Sequence, residues 1–378
     1  VTIASPAVRF ALLYAAQFAV VGVLLPFFPA FLAARGLGPS ELGALLAAGS
    51  AVRLLAGPAA GRLADALGDP RRVLVAGALL AAATAAAFGL VAGFALLLAV
   101  QLLFSAAMAP LVPLTDALAG RQAGTAAGFD YGRVRAVGSL AFILAAAAAG
   151  QVVGAFGAEA TIWLLAGGLL AVAAAAAGLP RTGPAGAGRL ASLRATLAIP
   201  ALRRLMLLSG LIQGSHALYY GFGTVHWQAA GLSAPLIGLL WAEGVVAEVA
   251  LFWAGRRLGD ALGARGLCLL AAGAGLLRWA ITAETAWLPA LAFAQLLHAA
   301  TFGAQHLAAM RVLVRVVPPR QAATAQTLHA ALGAGLPMGL LMLAGGPLYA
   351  ALGGSAFWAM AALCALAIPA SAGLRRVG

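Results

Sequence analysis

Five ionisable side chains stand in stretches otherwise built mostly of Ala, Leu, Val and Gly: Arg53, Glu243, Glu248, Arg278 and His298. A charge in hydrocarbon costs several kcal/mol, so each is a candidate functional group by default. An Arg stays protonated, and a carboxylate beside it stays ionised until a proton or an anionic solute competes. Glu, Arg and His on neighbouring helices are therefore the parts of a proton switch. Glu243, Glu248, Arg278 and His298 are the expected proton-coupling residues. A static ion pair that fixes helix packing is the competing reading. His216 is placed where it lines a cavity, whereas His306 and His329 read as structural.

A second group flanks a charged turn. Asp116 ends one apolar span, and Tyr131 and Arg135 open the next. Asp116 and Arg135 lie at the facing ends of antiparallel helices and are expected to meet as an acid–base pair. Phe142 follows Arg135 by seven residues and shares nearly the same helical face. An Arg fork beside an aromatic plate suits a small ring-bearing solute with a carboxylate or other polar group. The expected solute-binding set is Asp116, Tyr131, Arg135, Phe142 and His216. Against it stands a plainer role for Arg133 and Arg135, anchoring the helix at lipid headgroups.

The elements that hold these groups are membrane helices. A chain of 378 residues with 63% hydrophobic and 9% charged residues cannot cover its surface with polar groups. Val73 to Thr115 and Gln321 to Leu374 carry no formal charge, and each is long enough for two crossings of about 20 residues. Spans are expected near 10–34, 42–61, 73–92, 95–118, 134–156 and 160–179. After a linker they continue near 205–229, 234–255, 266–283, 285–310, 322–346 and 348–370. The fold class is an all-α membrane protein of twelve transmembrane helices in two six-helix halves. The domains are an N-terminal six-helix bundle over 1–180, a cytoplasmic linker over 181–200, and a C-terminal six-helix bundle over 201–378. At about 1.5 Å per residue, Arg53 lies roughly 20 Å into span 2.

The halves repeat each other. Arg62-Leu63-Ala64-Asp65-Ala66-Leu67-Gly68 returns as Arg257-Leu258-Gly259-Asp260-Ala261-Leu262-Gly263, an offset of 195 residues that also aligns Gly36 with Gly231 and Gly138 with Gly333. Parallel repeats of apolar sequence describe a carrier that works between its halves.

The net charge of +13 does not mean nucleic acid. Every basic residue is Arg, and all except Arg35, Arg53 and Arg278 fall on one set of connections or at the termini. That asymmetry places both termini in the cytoplasm. Cys268 and Cys364 lie in separate spans and suggest no disulfide, and no metal-ligand spacing is present. The first apolar stretch is long enough to remain a helix and is not read as a cleaved signal. No metalloprotease, phosphate-loop or nucleophile-triad pattern supports an enzyme.

Gly61 to Arg72 resembles the loop signature of the major facilitator superfamily, with Ala66 in place of a base and Asp69-Pro70 inserted. The resemblance implies a conformational latch made by Gly61, Asp65, Gly68, Arg71 and Arg72, with Asp260 as the second-half counterpart. Asp65 would cap the next helix. Tyr131-x-Arg133-x-Arg135-x-x-Gly138-Ser139, Arg278 and His298 resemble the lactose-permease-like oligosaccharide and phenylpropionate branch of that superfamily. The resemblance implies that Arg135 and Asp116 bind solute. Thr301 stands where the sugar permeases carry a proton-bearing Glu, so coupling would run through Glu243 or Glu248. Pro26 to Pro29, Trp241 to Glu248 and Leu297 to Gly303 extend the likeness to 3-phenylpropionate transporters.

The expected protein is a proton-coupled symporter in a bacterial cytoplasmic membrane that imports a small aromatic carboxylate by alternating access. It would use protons and no cofactor, bind no nucleic acid, and work as a monomer in the lipid bilayer. A sugar or nucleoside symporter is the alternative. A drug exporter and a non-transporting sensor or assembly factor follow.

Overall fold

The computed structural model of the protein describes residues 5–125, 128–180 and 192–374. Every regular element among them is helical, as backbone groups in hydrocarbon require when no partner strand satisfies them. The N-terminal part holds α1 (Pro6–Ala34), α2 (Pro39–Leu67), α3 (Pro70–Ala87), α4 (Phe94–Met108), α5 (Leu111–Ala123), α6 (Tyr131–Phe156) and α7 (Ala160–Ala177). There follow a single turn α8 (Leu193–Leu197), then α9 (Pro200–Gly214), α10 (Ala217–Ala229), α11 (Ala234–Glu284) and α12 (Leu288–Leu296). The chain continues through α13 (Gln305–Val316), α14 (Ala322–Leu328), α15 (Leu336–Leu352) and α16 (Phe357–Ala370). Two stretches, Ala299–Ala304 and His329–Gly335, are π-helical.

Eight helical stretches among the described residues are long and apolar enough to cross a bilayer. Three of the apolar runs are interrupted. Pro110 separates α4 from α5, and Ser215 and His216 separate α9 from α10. In α11, which runs for 51 residues, the break is at Gly263, with φ 62° and ψ −179°.

Those special glycines carry the repeat into the backbone. Gly36 and Gly231 have φ of 88° and 90°, and Gly68 and Gly263 both have 62°. A left-handed residue is strained for any side chain with a Cβ. Positive-φ glycines therefore stand at matching positions of the two repeats, although Gly68 has ψ 11° and Gly263 has ψ −179°.

The chain divides into two compact units. The first comprises Val1–Ala187 and Leu232–Ala242, the second Gly188–Gly231 and Glu243–Gly378. In the first, α1 packs along α6 and α7, α3 packs on α7, and α2 on α4. Its aromatic core joins Phe28, Phe31, Phe88 and Phe104, with Phe28 and Phe88 edge to face at 5.0 Å. Small residues set the spacing. A Cβ on Gly22 would stand 2.7 Å from the Phe142 carbonyl oxygen, so α1 and α6 touch backbone to backbone there. In the second unit, Leu205, Leu208 and Ile212 of α9 bury against Leu267 and Ala271 of α11 and Ala308 and Val312 of α13.

Of the expected linker, residues 181–191 lie outside the described residues, as does the Arg375-Arg376 tail. The rest of the linker carries α8, whose N-cap Ser192 accepts from the Ala195 N–H.

Candidate functional site

In the first unit the groups meet where α1, α5 and α6 converge. Thr115 is fully buried and returns its hydroxyl proton to the Leu111 carbonyl, and Gln17 of α1 donates to both groups. That buried knot fixes the first turn of α5 and hence the aim of the next residue, Asp116. Three groups then converge on one carboxylate oxygen, Asp116 Oδ1. Tyr14 donates to it at 2.6 Å and Tyr131 at 3.1 Å, and Arg135 Nε lies 3.8 Å away. Asp116 and Arg135 meet as their facing positions imply, with about a third of each side chain exposed.

The ring that plates the Arg is not the expected one. Phe142 is buried and its ring does not lie at the guanidinium. The guanidinium lies instead over Phe18 at 4.0 Å, with the Tyr14 ring at 5.4 Å. Position on α6 puts Phe142 on the right face, but α1 approaches α6 closely at that level and supplies Phe18 and Tyr14 to the guanidinium. Gly138 makes room for the substitute, since a Cβ there would come within 2.9 Å of the Phe18 ring. Tyr14, Gln17 and Phe18 are not among the residues expected from the sequence. Their spacing of three and four residues, in an otherwise apolar span, is the one signal that could have found them.

In this arrangement the terminal nitrogens of Arg135 make no hydrogen bond among the described residues, and neither does Asp116 Oδ2. A solute carboxylate can take the Arg fork while a neighbouring hydroxyl donates to Asp116. Its ring can lie along Phe18.

The second unit holds a buried polar cluster around Arg278, which is only 1% exposed. Its NH1 donates to His298 Nδ1 at 3.0 Å and to Thr301 Oγ1 at 3.1 Å, and its NH2 donates to Gln295 Oε1 at 3.0 Å. The rings of Tyr219 and Trp279 lie 4.7 and 4.6 Å from the guanidinium carbon. Arg278 has no carboxylate within ion-pair distance among the described residues. Because His298 Nδ1 accepts from Arg278, its proton sits on Nε2, and Nε2 points at Glu248 Oε2 at 3.5 Å. Glu248, His298 and Arg278 thus form a chain from acid to imidazole to guanidinium.

Thr301 joins this chain to His216. The His216 Nδ1–H donates to the Ile212 carbonyl at 3.1 Å, so its Nε2 accepts from the Thr301 hydroxyl at 3.1 Å. His216 therefore belongs to the Arg278 cluster and is buried within it. The π-helical turn that starts after His298 widens the helix, so that His298 and Thr301 both reach Arg278. Phe302 stacks on the His298 ring at 5.5 Å.

Glu243 stands apart. It makes no hydrogen bond or ion pair among the described residues. Five residues on a helix turn it about 140° from Glu248, on a different face. Gln295 and Tyr219, which no sequence pattern singles out, complete the cluster through the Gln295 amide donating to the Tyr219 hydroxyl at 2.7 Å.

The residues expected to form a latch are held separately. Gly68 ends α2 in the left-handed conformation, and its N–H reaches the Asp65 carbonyl. The capping expected of Asp65 does not occur. The N-cap position of α3 belongs to Asp69, and the Asp65 side chain is exposed. The inserted Asp69-Pro70 explains the difference, because Pro70 starts α3 too late for Asp65 to reach its N–H groups. Gly61 lies within α2, one turn before Asp65. Arg71 donates to the Ala177 and Leu179 carbonyls at the end of α7, and Arg72 pairs with Asp69 at 3.2 Å. Asp260 accepts from Arg311 of α13 at 3.0 Å.

The family model described as the MFS_1 like family matches residues 7–360. The chain belongs to that family, within the major facilitator superfamily. It is 37% identical over 361 residues to the probable 3-phenylpropionic acid transporter of Escherichia coli strain K12, covering 93% of each chain. It is 29% identical to the maltose permease of Geobacillus stearothermophilus over 89% of this chain and 86% of that one. Among solved structures, nucleoside transporter NupG superposes with a TM-score of 0.83 at 15% identity over 99% of both chains. That last likeness speaks for the fold. Members of the superfamily carry solutes and are not enzymes, and this chain is a multi-pass membrane transporter of a small molecule.

Proposed function

We propose that the protein is a proton-coupled symporter that imports a small aromatic carboxylate by alternating access. One observation carries the solute reading: the Arg135 guanidinium carbon lies 4.0 Å over the Phe18 ring with both terminal nitrogens available, beside a carboxylate held by two tyrosines. A planar cation on an aromatic face recognises an anion that is itself attached to a ring. The relative named as a 3-phenylpropionic acid transporter supports the same class.

The Glu248–His298–Arg278 chain supports coupling to protons. A proton taken by Glu248 removes the charge that faces the His298 N–H, and the imidazole and Arg278 are then free to re-pair. We place the protein in the cytoplasmic membrane of a bacterium, with both termini on the cytoplasmic side and the monomer as the working unit. Asp65, Arg71, Arg72 and Asp260 serve the change of conformation and do not touch solute.

A sugar or nucleoside symporter is the second reading, favoured by the acceptor oxygen of Asp116 and the two tyrosine hydroxyls that frame it. Uptake into proteoliposomes decides between them. With an inward proton gradient, 3-phenylpropionate or cinnamate is expected to accumulate and a protonophore to abolish the accumulation. Accumulation of a galactoside or a nucleoside in their place would transfer the assignment to the second reading.

A further inference from the structure

Arg53 is used by none of the groups described above. It occupies the middle of α2, with fourteen helical residues on either side within Pro39–Leu67. Its side chain is exposed. Among the described residues its one hydrogen bond runs from NH2 to the Ser50 hydroxyl at 3.1 Å, and it has no ion pair. Ser50 is itself held, because its proton goes to the Leu46 carbonyl. The guanidinium is thus oriented through one of its five N–H donors, and four remain available.

Three observations say what this cation faces. A permanently charged group exposed at the centre of a membrane helix is tolerated beside water and not beside hydrocarbon. Pro58 supplies no N–H to the Leu54 carbonyl, one residue from Arg53 in sequence, and a free carbonyl also needs water or a polar partner. Finally, α2 is the least buried of the eight candidate spans, yet only α3 among them is less apolar. A helix that showed this much surface to lipid would need more apolar residues than its buried neighbours, not fewer.

We propose that Arg53 is a second anion-binding position on the solute route, at the middle of the membrane, and that it takes the carboxylate of the solute as it crosses. Arg135 cannot fill that role, because Asp116 offsets its charge. The pair at Arg135 selects by geometry, whereas Arg53 supplies the net positive charge that an anion needs in a region of low dielectric. The transport arm of the test rests on the carboxylate reading above, and the labelling arm does not.

The labelling arm uses two water-soluble thiosulfonates, one bearing a sulfonate and one a trimethylammonium. Background is low because Cys268 and Cys364 are both buried. Arg53→Cys is expected to label from water. Leu55→Cys is expected to stay unlabelled, since that residue is 78% exposed on the opposite face of the helix, towards lipid. In Ala56→Cys, one turn from Arg53, the rate ratio of anionic to cationic reagent is expected to fall about tenfold or more when Arg53→Gln is added. An unlabelled Arg53→Cys overturns the water-facing placement, and an unchanged ratio overturns the anion site.

In transport, Arg53→Gln removes a charge from the bilayer centre and so does not hinder insertion. It is expected to lower the maximal rate of 3-phenylpropionate uptake about tenfold or more with little change in KM. An unchanged maximal rate takes Arg53 off the solute route. Wild-type protein that carries no carboxylate at all would sink the solute reading instead, with the labelling result still standing.

Discussion

Replacing Arg135 by Lys tests the proposed solute site without changing its charge. In the structure the guanidinium carbon lies 4.0 Å from the centre of the Phe18 ring, Nε is the nitrogen nearest Asp116, and the two terminal nitrogens make no hydrogen bond among the described residues. Lysine keeps a cation near Asp116 but offers a point charge, so one of the two parallel bonds to a carboxylate is lost. A hydrogen bond to a charged group contributes about 1.5–3 kcal/mol, and stacking at a partly exposed site adds about 0.5–1 kcal/mol. The side chain is 31% exposed, which argues for the lower part of those ranges. The sum is about 2–3 kcal/mol, or roughly a 30- to 150-fold loss of affinity at about 1.4 kcal/mol per decade. The assay is KM for 3-phenylpropionate uptake in proteoliposomes, checked by equilibrium binding to purified protein. A KM within about threefold of wild type would refute the reasoning, because a bidentate contact cannot be lost so cheaply.

Glu248→Gln keeps the shape of the acid but cannot ionise. It is expected to exchange labelled for unlabelled solute across vesicles while failing to concentrate it under a proton gradient, and normal accumulation would remove Glu248 from coupling. Glu243→Gln, whose residue the structure leaves outside the cluster, is expected to accumulate solute normally. Gly22→Ala drives a Cβ to 2.7 Å from the Phe142 carbonyl oxygen. It is expected to cost about 1–3 kcal/mol through forced separation of α1 and α6, read as a lower Tm of the detergent-solubilised protein. Asp260→Asn breaks an ion pair with Arg311 that is about half exposed, so stability is expected to move by less than about 1 kcal/mol. A larger fall in Tm would show that the pair does more than tether a surface turn.

Much of the architecture is legible in the amino-acid sequence by itself. The apolar composition and charge-free runs demand membrane helices, since a chain of this pattern has no other way to satisfy its own backbone in lipid. The offset that aligns Gly36 with Gly231 and Gly68 with Gly263 reappears as paired glycines of positive φ, because only Gly adopts that region without strain. Arg278, His298 and Glu248 are recognisable as a set because charges in apolar runs have few reasons to exist. Asp116 and Arg135 are recognisable by their facing positions.

Tertiary structure decides the partners. Helical periodicity states which face a residue occupies, but not which neighbour that face meets or at what depth. By period alone Phe142 is a suitable plate for Arg135, yet the close approach of α1 to α6 puts Phe18 in that place. Glu243 and Glu248 are equally suitable acids along the helix, and the packing beside α11 brings His298 to one and not the other. The sequence gives no sign that His216, at the break between α9 and α10, meets Thr301. Asp65 loses its cap to a two-residue insertion whose effect depends on where α3 begins. Burial and period are written along one helix at a time. Contacts are set by the rotation and approach of several helices together, and that is a property of their packed surfaces.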